Sequence, residues 1–135
     1  MSSDTVVVDA SVLVAIFKSE ADSIRLAERL ISYKRKVISA ATWLEAAIVC
    51  ESVSDKPGGE ADFHRLIADL DVEVIAFTPE HARLAFAAFK RFGKGRRTKA
   101  ALNFGDCFAY ALAKAMDAPL LFKGNDFTQT DLQPA

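Results

Sequence analysis

The chain has 135 residues, 51% of them hydrophobic and 26% charged, with a formal net charge of -1. That length suits one domain (1–135) around one core, and the apolar content excludes a disordered chain. The balanced charge excludes a global polyanion-binding surface, so any nucleic-acid contact must be local.

No apolar run approaches the roughly eighteen residues of a membrane helix, and no basic segment followed by a long apolar one opens the chain. The expectation is a soluble, cytoplasmic protein. Cys50 and Cys107 fall in helical segments without CxxC spacing, which predicts buried, reduced thiols rather than a disulfide or a zinc site.

After a loose start, Thr5-Val6-Val7-Val8 is a β-branched run suited to a strand buried on both faces. It ends at Asp9, a carboxylate at the strand's carboxyl end, where open α/β sheets place their ligands. Ser11 follows as the expected N-cap of a short helix over Val12 to Phe17. Asp22 to Tyr33 has the pattern of an amphipathic surface helix, and Lys34-Arg35-Lys36 suits its C-terminal dipole. Val37 to Ser39 is a second strand, and Ala41 to Ser52 a helix carrying Glu45 among apolar neighbours.

Asp55 to Gly59 is a loop, Glu60 to Leu70 a helix, and Val72 to Phe77 a third strand. Thr78-Pro79-Glu80 opens another helix, with Thr as cap and Pro in the first turn. His64 and His81 lack metal-ligand spacing and read as surface or half-buried side chains. Lys90 to Lys99 holds six basic residues and no acid, including Lys94, Arg96, Arg97 and Lys99.

Asn103 to Met116 reads as a buried helix, with Phe104, Phe108, Ala111, Leu112 and Ala115 on one stripe. Asp106 lies opposite that stripe, with Asn103 and Tyr110 on its side. An ionised carboxylate there needs a basic partner or a shared cation. Leu120 to Phe122 is a fourth strand, and Gly124 to Phe127 a turn carrying Asp126. Thr128 to Ala135 has a weak edge-strand signal.

Helices alternating with short strands predict a three-layer α/β/α sandwich on a mostly parallel sheet of four to five strands. Asp9 and Asp126 then converge at one sheet edge, with the helices bearing Glu45 and Asp106 beside it. Two unit charges 4 Å apart repel by about 4 kcal/mol at an effective dielectric near 20, so such a cluster needs a proton or a cation. Oxygen-only ligands favour Mg²⁺ or Mn²⁺, which activates water and stabilises phosphoryl transition states.

The segments VVVDASVL, WLEAA, NFGDCFAYALAK and LLFKGNDF together resemble the PIN-domain ribonucleases, specifically the VapC-type toxins of bacterial toxin-antitoxin pairs. The resemblance runs from Val6 to Asp131. It implies a PIN-like sandwich, with Asp9, Glu45, Asp106 and Asp126 around Mg²⁺ or Mn²⁺ and Ser11 supporting the first acid. Asn103 and Asn125 match positions near that site. Relatives carry a further acid beside the fourth, where this chain has Asn125. The resemblance also implies an endoribonuclease that cuts exposed loops of tRNA or rRNA and arrests translation. Its implied partners are a second copy in a homodimer and a cognate VapB-type antitoxin laid across the cleft.

The basic run before Asn103 supports a polyanionic substrate independently, since the acids themselves repel phosphate. An aspartyl phosphatase would carry a second acid where Ser11 stands, and a phosphate-accepting signalling domain would have paired acids after its first strand. The remaining alternative is a catalytically silent PIN-like module that binds RNA or a partner. Loss of an acid would mark it, and all four are present.

Overall fold

In a computed structural model, which describes residues 4–54, 58–95 and 101–135, the chain alternates strands and helices as its periodicities predict. The elements are β1 (Thr5–Val8), α1 (Ala10–Phe17), α2 (Ser23–Ile31), β2 (Arg35–Ser39), α3 (Ala40–Val53), α4 (Gly59–Asp69), β3 (Val72–Ile75), α5 (Pro79–Phe92), α6 (Phe104–Met116) and β4 (Leu120–Leu121). All four strands are parallel, in the order β3-β2-β1-β4.

Alternation along the central strand builds the layers. Val7 points to one face, packed with Val37, Leu112 and Leu120 beneath α5 and α6. Val6 and Val8 point to the other, packed with Leu13, Leu26, Ile38 and Phe63 from α1, α2, β2 and α4. All three valines are fully buried, which explains an unbroken β-branched run where a half-exposed strand would alternate with polar residues. Helices on both faces make this the α/β/α sandwich expected.

The topology also locates the site. The chain moves outward from β1 to β2 to β3, then returns across the sheet to set β4 on the free side of β1. The strand order therefore reverses between β1 and β4, the crevice where open parallel sheets bind ligands. Asp9 leaves the first of these strands, and Asp126 follows the second.

Several boundaries differ from expectation. The cap of α1 is Asp9 itself, whose side chain accepts from the Ser11 N–H, so the helix begins at Ala10. Arg35 and Lys36 enter β2 rather than ending a helix, and Arg35 pairs with Glu73 on the neighbouring strand at 3.0 Å. Pairing of β3 stops at Ile75, short of Phe77. The helix α5 runs on to Phe92 and absorbs Lys90 and Arg91. The tail forms one parallel bridge, Pro134 to Leu120, instead of an edge strand. His81 is buried rather than half-exposed, whereas both cysteines are buried thiols as expected. Among the described residues no helix is long and apolar enough to cross a membrane.

Candidate active site

Each of the four predicted acids reaches the β1/β4 crevice by a different local device. Asp9 is fixed twice. Its backbone N–H donates to Leu121 across the sheet at 3.0 Å, and its Oδ2 accepts from the Ser11 N–H at 3.1 Å and the Ser11 hydroxyl at 2.6 Å. The Ser11 hydroxyl oxygen in turn accepts the Lys123 backbone N–H at 3.0 Å, tying the first acid to the loop of the fourth.

Asp106 is fixed by a reciprocal cap. The Asp106 N–H donates to Asn103 Oδ1 at 2.9 Å, while Asp106 Oδ2 accepts the Asn103 N–H at 3.0 Å. Asn103 thus orients the third acid. Tyr110 is turned elsewhere, its hydroxyl donating to Asp131 at 2.7 Å beside Lys114 and Arg91. Glu45, half-buried in α3, lays its carboxylate against Gly105. A Cβ there would meet Glu45 Cδ at 2.6 Å and Oε1 at 2.7 Å. Gly105 is a determinant that sequence reasoning passed over; its only signal was a glycine inside the first turn of a good helix.

The electrostatics register the convergence. Burial raises the Asp9 carboxyl above its usual range; the Ser11 hydrogen bonds oppose this and the Asp126 charge adds to it. Glu45 is raised by burial and then by Asp9. Asp106 is pushed up to about 8, first by burial, against its Asn103 bond, and further by a hydrogen bond to Asp126 and the charges of Asp9 and Asp126. Asp9, Glu45 and Asp106 thus each feel the charge of another of the four acids, Asp126 on Asp9 and Asp106, Asp9 on Glu45 and Asp106. Asp9 and Asp106 are buried and Asp126 is exposed, so the cluster opens to solvent on the Asp126 side.

Among the described residues no three acids stand as a ready ligand group. Asp126 stands close enough to Asp106 to push its carboxyl further up. The donor set nevertheless fits a hard divalent cation. It contains oxygen alone, and its carboxyls are raised first by burial and then by neighbouring negative charge, both of which a bound cation offsets.

Of the basic run, Lys94 is exposed, while Arg96, Arg97 and Lys99 lie outside the described residues. The run's flanks meet at the head of α6: Lys94 N–H donates to Leu102 at 2.8 Å and Leu102 N–H to Phe92 at 3.0 Å. Lys94 is thereby held beside Leu102, just before Asn103 and the acid helix.

The PIN domain model matches residues 6–132. The chain belongs to the PIN-domain family. Within that family it is similar to VapC ribonucleases along nearly its whole length. It is 43% identical to ribonuclease VapC30 of Mycobacterium tuberculosis over 129 residues, covering 93% of this chain and 95% of that protein. It is 44% identical to ribonuclease VapC of Mycolicibacterium smegmatis, covering 93% and 96%.

Solved PIN-domain toxins share the fold at low identity. VapC20 of M. tuberculosis, described as a sarcin-ricin loop cleaving toxin, superposes with a TM-score of 0.72 at 15% identity, covering 96% of this chain and 98% of that one. VapBC2 of Rickettsia felis, bound to promoter DNA, superposes at 0.70 and 15% identity, covering 97% of both chains.

Proposed function

We propose that this PIN domain, 1–135 as one unit, is a divalent-cation-dependent endoribonuclease toxin, held in check by a VapB-type antitoxin. The observation that supports the proposal is that Asp9, Glu45 and Asp106, each raised by burial, are raised further by a neighbouring acid, Asp126 or Asp9, at the strand-order reversal. A purely structural set of acids would be spread apart or paired with Lys and Arg, as Asp131 is with Lys114 and Arg91.

Mg²⁺ or Mn²⁺ held by these four acids would supply an activated water and charge stabilisation at the scissile phosphate. The chain's own residues do the rest. Ser11 holds Asp9 through its Oδ2, and Asn103 holds Asp106 at the mouth of α6. The basic segment, Lys94, Arg96, Arg97 and Lys99, attracts the RNA backbone that the acids alone would repel. By analogy with the related toxins, the substrate is an exposed loop of tRNA or rRNA, and its cleavage arrests translation. Self-association as a homodimer and capture by the antitoxin both need apolar surface. Ile24, Leu44, Ile48, Phe86 and Phe104 supply it.

The deciding experiment is incubation of the partner-free chain with total RNA in Mg²⁺, Mn²⁺ or chelator, with Asp9→Asn alongside, resolved on a sequencing gel. Discrete cuts that need metal and vanish in the variant are expected. A folded, partner-free protein that makes none would instead be a silent binding module.

A further inference from the structure

Lys123 plays no part in the chemistry above, yet it joins the Ser11 that carries Asp9 to the α1–α2 connection. Its backbone N–H donates to the Ser11 hydroxyl that carries Asp9. Its ammonium donates to Glu20 at 2.6 Å and to Asp22 at 3.1 Å, both in the connection between α1 and α2. Lys18 and Arg25 flank those two carboxylates at 3.3 and 3.6 Å, so five charges alternate in sign across the gap between that connection and the exit of β4.

An isolated surface ion pair contributes little, because water screens it and ordering long side chains costs entropy. The geometry here is different in kind. One ammonium is shared by two carboxylates that other cations hold in place, and the same residue's backbone is pinned from the opposite side. Three residues on stands Asp126, with Gly124 at φ +100 making the turn between them. One residue further, Phe127 is buried and packs against Phe122 at 5.1 Å between ring centroids. The exposed Asp126 therefore hangs between two anchors, Lys123 before it and Phe127 after it. Phe127 draws its hold from the core; Lys123 draws its hold from the Glu20/Asp22 clasp.

We propose that Lys123 is a positioning residue for Asp126: its clasp by Glu20 and Asp22 fixes the 123–126 turn so that the fourth acid faces Asp9 and Asp106. The inference rests on the metal-site reading above and deepens it. It also assigns the α1–α2 connection a part in the site, although neither Glu20 nor Asp22 lies among the four acids.

The test is Lys123→Met, which keeps the backbone N–H and the alkyl stem, with Lys123→Arg as the conservative variant. Both are compared with wild type in the Asp126 and Asp126→Asn backgrounds. Mn²⁺ binding is followed by calorimetry on the partner-free chain, and amide hydrogen exchange is followed across 122–127 without metal. In Lys123→Met, exchange in that segment should quicken while β1 and α3 stay protected. Mn²⁺ binding should weaken by about tenfold, the low end of the range for residues that orient metal ligands. Lys123→Arg should restore most of both. In the Asp126→Asn background, Lys123→Met should add little, because the residue through which Lys123 acts is already gone. Unchanged exchange in Lys123→Met would overturn the clasp. Equal weakening in both backgrounds would show that Lys123 acts on the site as a whole and not through Asp126. A wild type that binds no Mn²⁺ would overturn the metal reading itself, and the exchange result would still decide whether the turn is clasped.

Discussion

At the scale of single residues, Asp106 carries the conflict that the site must resolve. Burial and two neighbouring carboxylates push it from an ordinary 3.8 up to about 8, although it caps its own helix. An acid raised in the folded state binds more protons there than in the unfolded chain, so stability falls as pH climbs from near 4 toward 8. Asp106→Asn removes that dependence and keeps an oxygen for the Asn103 N–H. In chelator at pH 8.5 the variant should exceed wild type by at least about 1.4 kcal/mol, the value of one pK unit. That corresponds to roughly 4 °C or more in Tm, and the difference should shrink toward pH 4. RNA cleavage should fall by about 100-fold or more, because a group that would hold the cation is lost. A variant less stable than wild type at pH 8.5 would mean that Asp106 is already neutralised by a basic neighbour, and the cluster would lose its centre.

At the scale of elements, α6 is shaped by a glycine that its own stability does not want. Glycine in a helix costs about 1 kcal/mol against alanine, yet Gly105 stands in the first turn because Glu45 from α3 occupies the space of a side chain. Gly105→Ala should therefore change Tm little, the helix gain offsetting a displaced carboxylate, while Mn²⁺ binding by calorimetry weakens about tenfold. Binding as tight as wild type would show that Glu45 does not serve the ion. This contact marks what the sequence could not reveal. The strand β1 was legible from its β-branched run, α5 from Thr78-Pro79, and the head of α6 from Asn103, because each signal is local. Asp9 and Asp126 were legible as strand-end acids for the same reason. Choosing between Asp9 and Ser11 as cap was not, since both residue types cap well and stand two apart. Nor was the fate of Arg35, decided by Glu73 on a strand found far along the chain, or the end of β3, decided by where β2 runs out. The Gly105–Glu45 and Lys123–Glu20 contacts belong to the same class: each joins segments that only the folded sheet brings together.

At the scale of the whole molecule, a protein of net charge -1 that gathers four acids in one crevice has to attract RNA with charge that is not already engaged. Among the described residues, Lys18, Arg25, Lys34, Arg35, Arg65, Arg91, Lys114 and Lys123 pair with acids, and Arg29 and Lys90 lie over aromatic rings. Under the proposed function that attraction is assigned to the densest basic run of the sequence, which starts at Lys94 and precedes the head of α6. Each phosphate neutralised on a single strand contributes about 0.7 to the slope of log affinity against log salt. Replacing Lys94, Arg96, Arg97 and Lys99 together with Gln should flatten that slope by up to about 3, measured by filter binding of RNA to the Asp9→Asn protein between low and moderate salt. The loss should be largest at low salt, where released counterions drive association most strongly. Because the proposed function assigns these four residues to the RNA and not to the cation, Mn²⁺ binding and Tm should stay at the values of the unaltered chain. An unchanged slope with weaker Mn²⁺ binding would reverse the assignment, making the segment a support for the acid helix and leaving the path of the RNA to another face.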